Sequence, residues 1–208
     1  MSKDKLVLTA RHKDVLKEIG NICAGNAATA LSQLLGKKIA MNVPQVYFVP
    51  IQEVPEVVGG AEKLMVSIVL QVFGDAPGVI LFLFPQTDAR VLAGILTGKR
   101  TAEGVFTEMD QSAIKEAGTI LSAAYLNALS SFTNLGLIPS TPGIVIDMAG
   151  ALVDYILIEI AASSEHALLI DSEFIDEEKS VRGHFFLLPN PGSLEIILKA
   201  IGEYNSGY

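Results

Sequence analysis

TARHKDVLKEIGNICAGNAATALSQLLG (residues 9–36) and TEMDQSAIKEAGTILSAAYLNALSSFTN (residues 107–134) read as one helix written twice. Sliding the chain on itself by 98 positions aligns Thr9, Lys17, Glu18, Gly20, Ile22, Ala30, Leu31, Ser32 and Pro44 with Thr107, Lys115, Glu116, Gly118, Ile120, Ala128, Leu129, Ser130 and Pro142. Those nine ungapped identities fall between positions 9 and 44, where chance would give about two or three. The match returns at the end of each half after a six-residue change of offset, with Val79–Pro85 facing Gly183–Pro189. A repeat sets the fold before any local reading does. Two copies of this length are not a solenoid; they predict one α/β (α+β) domain over 1–208 with internal pseudo-twofold symmetry. The repeat units are approximately 9–98 and 107–203.

Around the two helices, each unit shows the same order. Thr9 is a candidate N-cap, and apolar residues then recur at helical spacing from Arg11 to about Leu35, where Gly36 stops the helix. Lys38–Val49 alternates as a strand, with Pro44 at a bulge or edge. Val54–Gly60 is a short connector. Strands follow near Lys63–Phe73 and Gly78–Phe84, joined by Asp75-Ala-Pro-Gly78, which is turn chemistry. Gln86–Gly98 is an amphipathic helix.

In the second unit Thr107, with Asp110 three residues on, forms a capping box for a helix running to about Phe132. A strand near Gly143–Met148 and a short helix or connector around Ala149–Ile160 come next. Strands near Leu168–Ile175 and Gly183–Leu188 flank a charged hairpin tip, Asp171–Lys179. A last helix starts after Pro191 and runs to about Glu203, and Glu203–Tyr208 reads as frayed. The expected architecture is therefore two long motif-bearing helices and further helices packed on a mainly antiparallel sheet of about six strands. No Pro/Ser-rich linker separates the units near residue 100, which favours one domain over two free lobes.

Half of the 208 residues are hydrophobic and 18% are charged, enough for a substantial core. No apolar run reaches the 18 or so residues of a membrane helix, and the start of the chain leads to no signal peptide. A single cysteine, Cys23, forbids an internal disulfide and fits a reducing cytoplasm. A formal charge of -8 argues against nucleic acid, which needs a basic stripe. The only basic clusters, Lys37-Lys38 and Lys99-Arg100, lie beside glycines and read as solvated turns.

The chemistry lies on one face of the first helix. With Glu18 as origin at about 100° per residue, Asp14 falls near -40°, Asn21 near -60° and Gly25 near -20°. Thr29 and Ser32 share the stripe, and the apolar residues centre roughly opposite. Gly25 costs about 0.8–1.0 kcal/mol relative to Ala inside a helix, and Asp14 and Glu18 are like charges at i,i+4. Two small penalties on one exposed face point to a docking surface. Taken alone, acids in the first turns of a helix answer its dipole and need no further role. The second helix changes the balance: Ser112, Glu116, Thr119 and Ala123 rebuild the stripe while its other positions drift. Three hard ligands on one helix with no histidine beside them make a weak metal signature, so no metal is expected.

The spacing Asp/Ser-x3-Glu-x2-Asn-x22-Pro resembles the motif of the CheC-type phosphatases of bacterial and archaeal chemotaxis, which carry it twice, and of the related CheX, which carries it once. Asp14, Glu18, Asn21 and Pro44 match at every position. Ser112, Glu116, Thr119 and Pro142 depart at the amide. Glu18-Ile-Gly-Asn-Ile22, Ala30-Leu-Ser32 and Ile146-Asp-Met-Ala-Gly-Ala151 are also CheC-like, so the resemblance spans essentially the whole chain. The length matches CheC and leaves no room for the switch domain of the relative FliY.

The resemblance implies a cytoplasmic, monomeric phosphatase for the phospho-aspartate of the response regulator CheY. Asn21 would position the water and Glu18 would pair with the regulator's lysine. Mg²⁺ would come with the regulator, and the protein would need no cofactor of its own. The second site at Ser112, Glu116 and Thr119 would be reduced or silent. The family also binds the receptor deamidase CheD, and Asp147 lies in the matching region. A non-catalytic adaptor that regulates CheD is the alternative. No P-loop, Rossmann glycines or G-x-S-x-G elbow points elsewhere. Cys23 reads as a core residue. His12 and His166 are scattered, and His184 reads as an edge or surface residue.

Overall fold

Thr9 and Thr107 both start helices by the same device. Each side chain accepts from the third helical N–H, and the third residue (His12 or Asp110) accepts from the threonine's own N–H. The two helices have equal length and end in left-handed residues, Gly36 and Asn134. The computed structural model describes residues 9–36, 38–42, 46–98, 106–159, 166–176, 179–190 and 192–204. Pro44, Lys37, Lys99 and Arg100 lie outside them.

Helix α1 (Ala10–Leu35) leads into strands β1 (Ala40–Asn42) and β2 (Val46–Pro50). A 3₁₀ turn (Ile51–Glu53), α2 (Val54–Val57), the hairpin β3 (Leu64–Gly74)–β4 (Gly78–Pro85) and α3 (Gln86–Thr97) complete the first half. The second half runs α4 (Glu108–Thr133), β5 (Leu137–Pro139), β6 (Gly143–Met148), α5 (Ala149–Glu159), the hairpin β7 (His166–Asp176)–β8 (Lys179–Pro189) and α6 (Ser193–Tyr204). Helix, two strands, helix, hairpin, helix thus occurs twice.

All eight strands form one antiparallel sheet of order β1-β7-β8-β4-β3-β5, with β2 also on β7 and β6 also on β3. The first half's outer strands pair with β7, and the second half's outer strands pair with β3. The two inner strands, β4 and β8, meet at the centre. Each half therefore completes the sheet of the other.

Alternation along the strands divides the core in two. Val66, Ile68, Leu70 and Val72 of β3 face α1, α3, α4 and α6. Met65 of β3, with Leu81 and Leu83 of β4, faces α2 and α5. β4 is buried on both sides, which explains its unbroken apolar run. In the larger layer Tyr125 of α4 stacks on Phe185 of β8 with centroids 4.1 Å apart, and Phe82 of β4 packs against Phe185 at 5.1 Å.

Several expectations are corrected. The sheet has eight strands among the described residues, against about six. The single strand over Lys38–Val49 is two, on either side of residues 43–45, and β5 was not expected. The charged stretch Asp171–Lys179 is mostly ladder: β7 continues to Asp176 because Ala40–Asn42 pair with Glu173–Ile175. His184 lies half-buried in a central strand, between Asp171 and Leu83, and not at an edge. α6 ends at Tyr204, within one residue of the expected end.

Candidate functional site

Val15, Leu16, Ile19, Cys23, Ala24, Ala27, Ala28 and Leu31 bury one side of α1. The same helical phase turns Asp14, Glu18, Asn21, Gly25 and Thr29 outward, and all five are exposed. Glu18 and Asn21 sit at i,i+3, with their Cβ atoms about 5–6 Å apart. Among the described residues the side chains of Asp14, Glu18 and Asn21 have no hydrogen-bond or ion-pair partner. Their donors and acceptors are thus held on a rigid helix and left to solvent. Thr29 is less available, since its hydroxyl donates to the Gly25 carbonyl at 2.9 Å.

Ser32 departs from the expected stripe. It is half-buried, donates to the Ala28 carbonyl at 2.6 Å and accepts from the Ile39 N–H at 2.9 Å. Its work is to tie the end of α1 to the approach of β1. The wheel also holds a residue that the polar reading passed over. Ile22 lies about 40° from Glu18 and is 40% exposed, a large apolar side chain inside the polar stripe. Its phase alone was the available signal.

α1 rests on α4. Leu16 and Ile19 near the start of α1, and Leu126 and Leu129 near the end of α4, line one small cavity, so the helices run antiparallel. Cys23 is fully buried at this seam, its thiol 3.7 Å from the Tyr125 carbonyl. Burial pushes the thiol up to about 12. That makes Cys23 a core residue, poorly suited to nucleophilic chemistry.

On α4 Ser112, Glu116 and Thr119 are exposed and Ala123 is half-buried. Thr119 differs from Asn21 in more than length: its hydroxyl donates to the Lys115 carbonyl at 3.2 Å. One turn of its own helix thus uses the only proton it could give to a water. Pro142 is half-buried in the link from β5 to β6. Asp147 is exposed at the end of β6 and accepts from the Met148 N–H at 2.8 Å. Ile146, Met148 and Leu64 beside it, and Tyr155 on α5, are exposed apolar side chains. α1, α4 and β6 thus carry three separate groups of candidate residues. No described group of three or more His, Cys, Asp or Glu side chains could hold a metal ion, and no described helix is long and apolar enough to cross a membrane.

A helix-borne carboxylate and amide on a sheet shared by two halves can be set against known proteins. The family model of the CheC-like family matches residues 12–48. The CheY-P phosphatase CheC of Bacillus subtilis is 36% identical, over 91% of this chain and 93% of that protein. Among solved structures, Thermotoga maritima FliY superposes with a TM-score of 0.78 at 21% identity, covering 96% of this chain and 100% of that one. The Borrelia burgdorferi CheX-CheY-BeF3-Mg+2 complex contains a chain matching with a TM-score of 0.50 at 14% identity, over 81% of this chain and 96% of that one. The fold is that of the CheC-type scaffold. The chain belongs to the CheC family.

Proposed function

We propose that this protein is a phosphatase for the aspartyl phosphate of the response regulator CheY, with α1 as its working surface. The observation that carries the reading is the exposed pair Glu18 and Asn21, without a partner among the described residues and one turn apart on a helix whose opposite side is locked into the core. The relative of the same family and similar length is a CheY-P phosphatase, and a CheX chain of similar fold forms a complex with CheY.

The chemistry asks little of the enzyme. A water oxygen attacks phosphorus in line, and the bond from phosphorus to the aspartyl oxygen breaks. Inorganic phosphate leaves and the carboxylate is regenerated. Asn21 is a neutral donor and acceptor, so it can hold that water without repelling the phosphoryl oxygens. It acts by position, since an amide is no base. Glu18 pairs with the regulator's lysine and fixes the register of the docked helix. Mg²⁺ belongs to the regulator, and this chain needs no cofactor of its own. The same reading treats 9–98 and 107–203 as copies of one unit, with the α4 face silent because Thr119 replaces the amide. It also places a monomer in the cytoplasm.

The test adds catalytic amounts of the protein to phosphorylated CheY with Mg²⁺ and follows phosphate release. Wild type should turn over many regulators per molecule. Asn21→Ala should lose at least roughly tenfold, about 1.4 kcal/mol in the barrier, with its melting nearly unchanged. A fully active Asn21→Ala beside a dead Glu116→Ala would move the site to α4.

A second reading has its own observation. Asp147 sits among exposed apolar residues at the edge of the sheet, a composition suited to a protein contact. In that reading the surface binds CheD and phosphorylated CheY tunes its release. An Asp147→Lys variant that loses CheD binding but keeps phosphatase activity would separate the two surfaces.

A further inference from the structure

A glycine in the middle of a long helix needs a reason, because it is among the costliest residues to hold there. The fold supplies reasons for other glycines of this chain. Gly36 and Gly98 end helices in the left-handed region, at φ of 64° and 68°. Gly118 lets α4 lie against the sheet: a Cβ on it would stand 2.7 Å from Cγ2 of Ile68. Gly25 has neither reason. It is exposed, its backbone is ordinary helix, and a Cβ placed on it would meet nothing within 4 Å. Nothing in the described structure calls for a bare Cα there.

Gly25 lies one turn past Asn21, within about 40° of it on the wheel. Ile22, an exposed apolar side chain, lies one turn before Gly25 and about 60° from it on the wheel. A bare backbone next to an apolar side chain is a surface for close packing. At the equivalent position of α4 stands Ala123, on the face that has also lost its amide. The open backbone and the amide are present together on α1 and absent together on α4.

We infer that Gly25 is a positioning residue: it lets the backbone of the phosphorylated regulator, beside its phospho-aspartate, seat against α1, and so sets how far Asn21 reaches. This rests on the phosphatase reading above. An asparagine side chain is short, so reach must come from the approach of the two backbones. One added carbon lifts the contact by about 1.5 Å. A misplacement of about 1 Å can cost about a hundredfold.

The experiment compares wild type, Gly25→Ala, Asn21→Ala and Gly202→Ala. The last is a control, because Gly202 also lies in a helix with nothing within 4 Å of a built Cβ. Each is assayed for phosphate release from phosphorylated CheY, for binding to beryllofluoride-activated CheY, and by thermal melting. Gly25→Ala should melt at or above the wild-type temperature, yet lose at least tenfold in kcat/KM and bind the activated regulator more weakly. Gly202→Ala should keep wild-type activity and binding. Gly25→Ala with wild-type kcat/KM and binding overturns the inference while Asn21 still marks a phosphatase. A Gly25→Ala protein that melts well below wild type also overturns it, since the glycine would then serve the fold. If wild type shows no activity that Asn21→Ala removes, the phosphatase reading fails. The binding comparison then decides alone whether Gly25 admits the regulator.

Discussion

Glu18 and Asn21 sit one turn apart, but they act through different physics and should fail differently. Asn21 places a neutral molecule, so its loss lowers the rate without changing the response to salt. Glu18 contributes charge. Glu18→Gln keeps the shape and removes the ion pair with the regulator's lysine, so kcat/KM should fall and its decline with added salt should flatten. A salt series for both proteins checks this; parallel slopes would remove the lysine from the account. Cys23 makes the opposite case, a residue that works by staying neutral. Burial raises its pKa from 9.0 to about 12. The unfolded chain therefore releases this proton first as pH rises. The stability contributed by the neutral thiol is fully present below about pH 9 and is lost on the way to pH 12. Other groups titrate in that window, so the measure is a difference. The advantage of wild type over Cys23→Ala in denaturant melts should shrink by about 1.4 kcal/mol per pH unit above pH 9. A constant difference between pH 8 and 11 would mean that the thiolate is accommodated.

α4 and the sheet approach more closely than side chains usually allow, and Gly118 is the reason. Gly118→Ala gains about 0.8–1.0 kcal/mol of helix propensity. It also drives a methyl group against Ile68, which is fully buried and cannot swing away. Overpacking of this kind costs about 1–3 kcal/mol. The variant should melt below wild type, and a melt at or above it would show that α4 can lift from β3. Elements of this kind were legible to different degrees. α1 and α4 could be read almost to the residue, because caps, period and stop signals agree there. β3 and β4 were legible from their apolar runs. β5 was not: three residues, Leu137-Ile138-Pro139, carry no period, and they become a strand only because Val72–Gly74 lies alongside. The far ends of β7 and β8 were hidden for the same reason. Their charged residues read locally as a turn, and the partner that extends β7 is β1, more than 130 positions away in sequence. The polar face of the site was legible because exposure follows helical phase. The hydroxyl of Thr119, turned back on its own helix, was not, since a wheel gives direction and no hydrogen bond.

Across the whole molecule, exchange of outer strands holds the two candidate faces on one sheet. β3 carries β5 and β6 from the other half, and β7 carries β1 and β2. The scaffold that supports α1 is therefore rebuilt, with its partners swapped, under α4. If the halves are copies, the α4 face should need only local chemistry to work. Thr119 stands about -60° from Glu116, as Asn21 does from Glu18. Thr119→Asn restores the amide and removes the hydroxyl that donates to the Lys115 carbonyl. In an Asn21→Ala background this change should recover part of the lost phosphate release, and in wild type it should add to it. Adding Ala123→Gly should recover more, since it opens the backbone as Gly25 does on α1. The measurement is kcat/KM for phosphorylated CheY in the double and triple variants, with melting to show that each is folded. Folded proteins that release no phosphate above background would show that the two helices differ in shape as well as in two side chains. Recovery by Thr119→Asn alone, with no gain from Ala123→Gly, would leave the amide as the sole missing part of the α4 face. It would also assign Gly25 a role that α4 does not need.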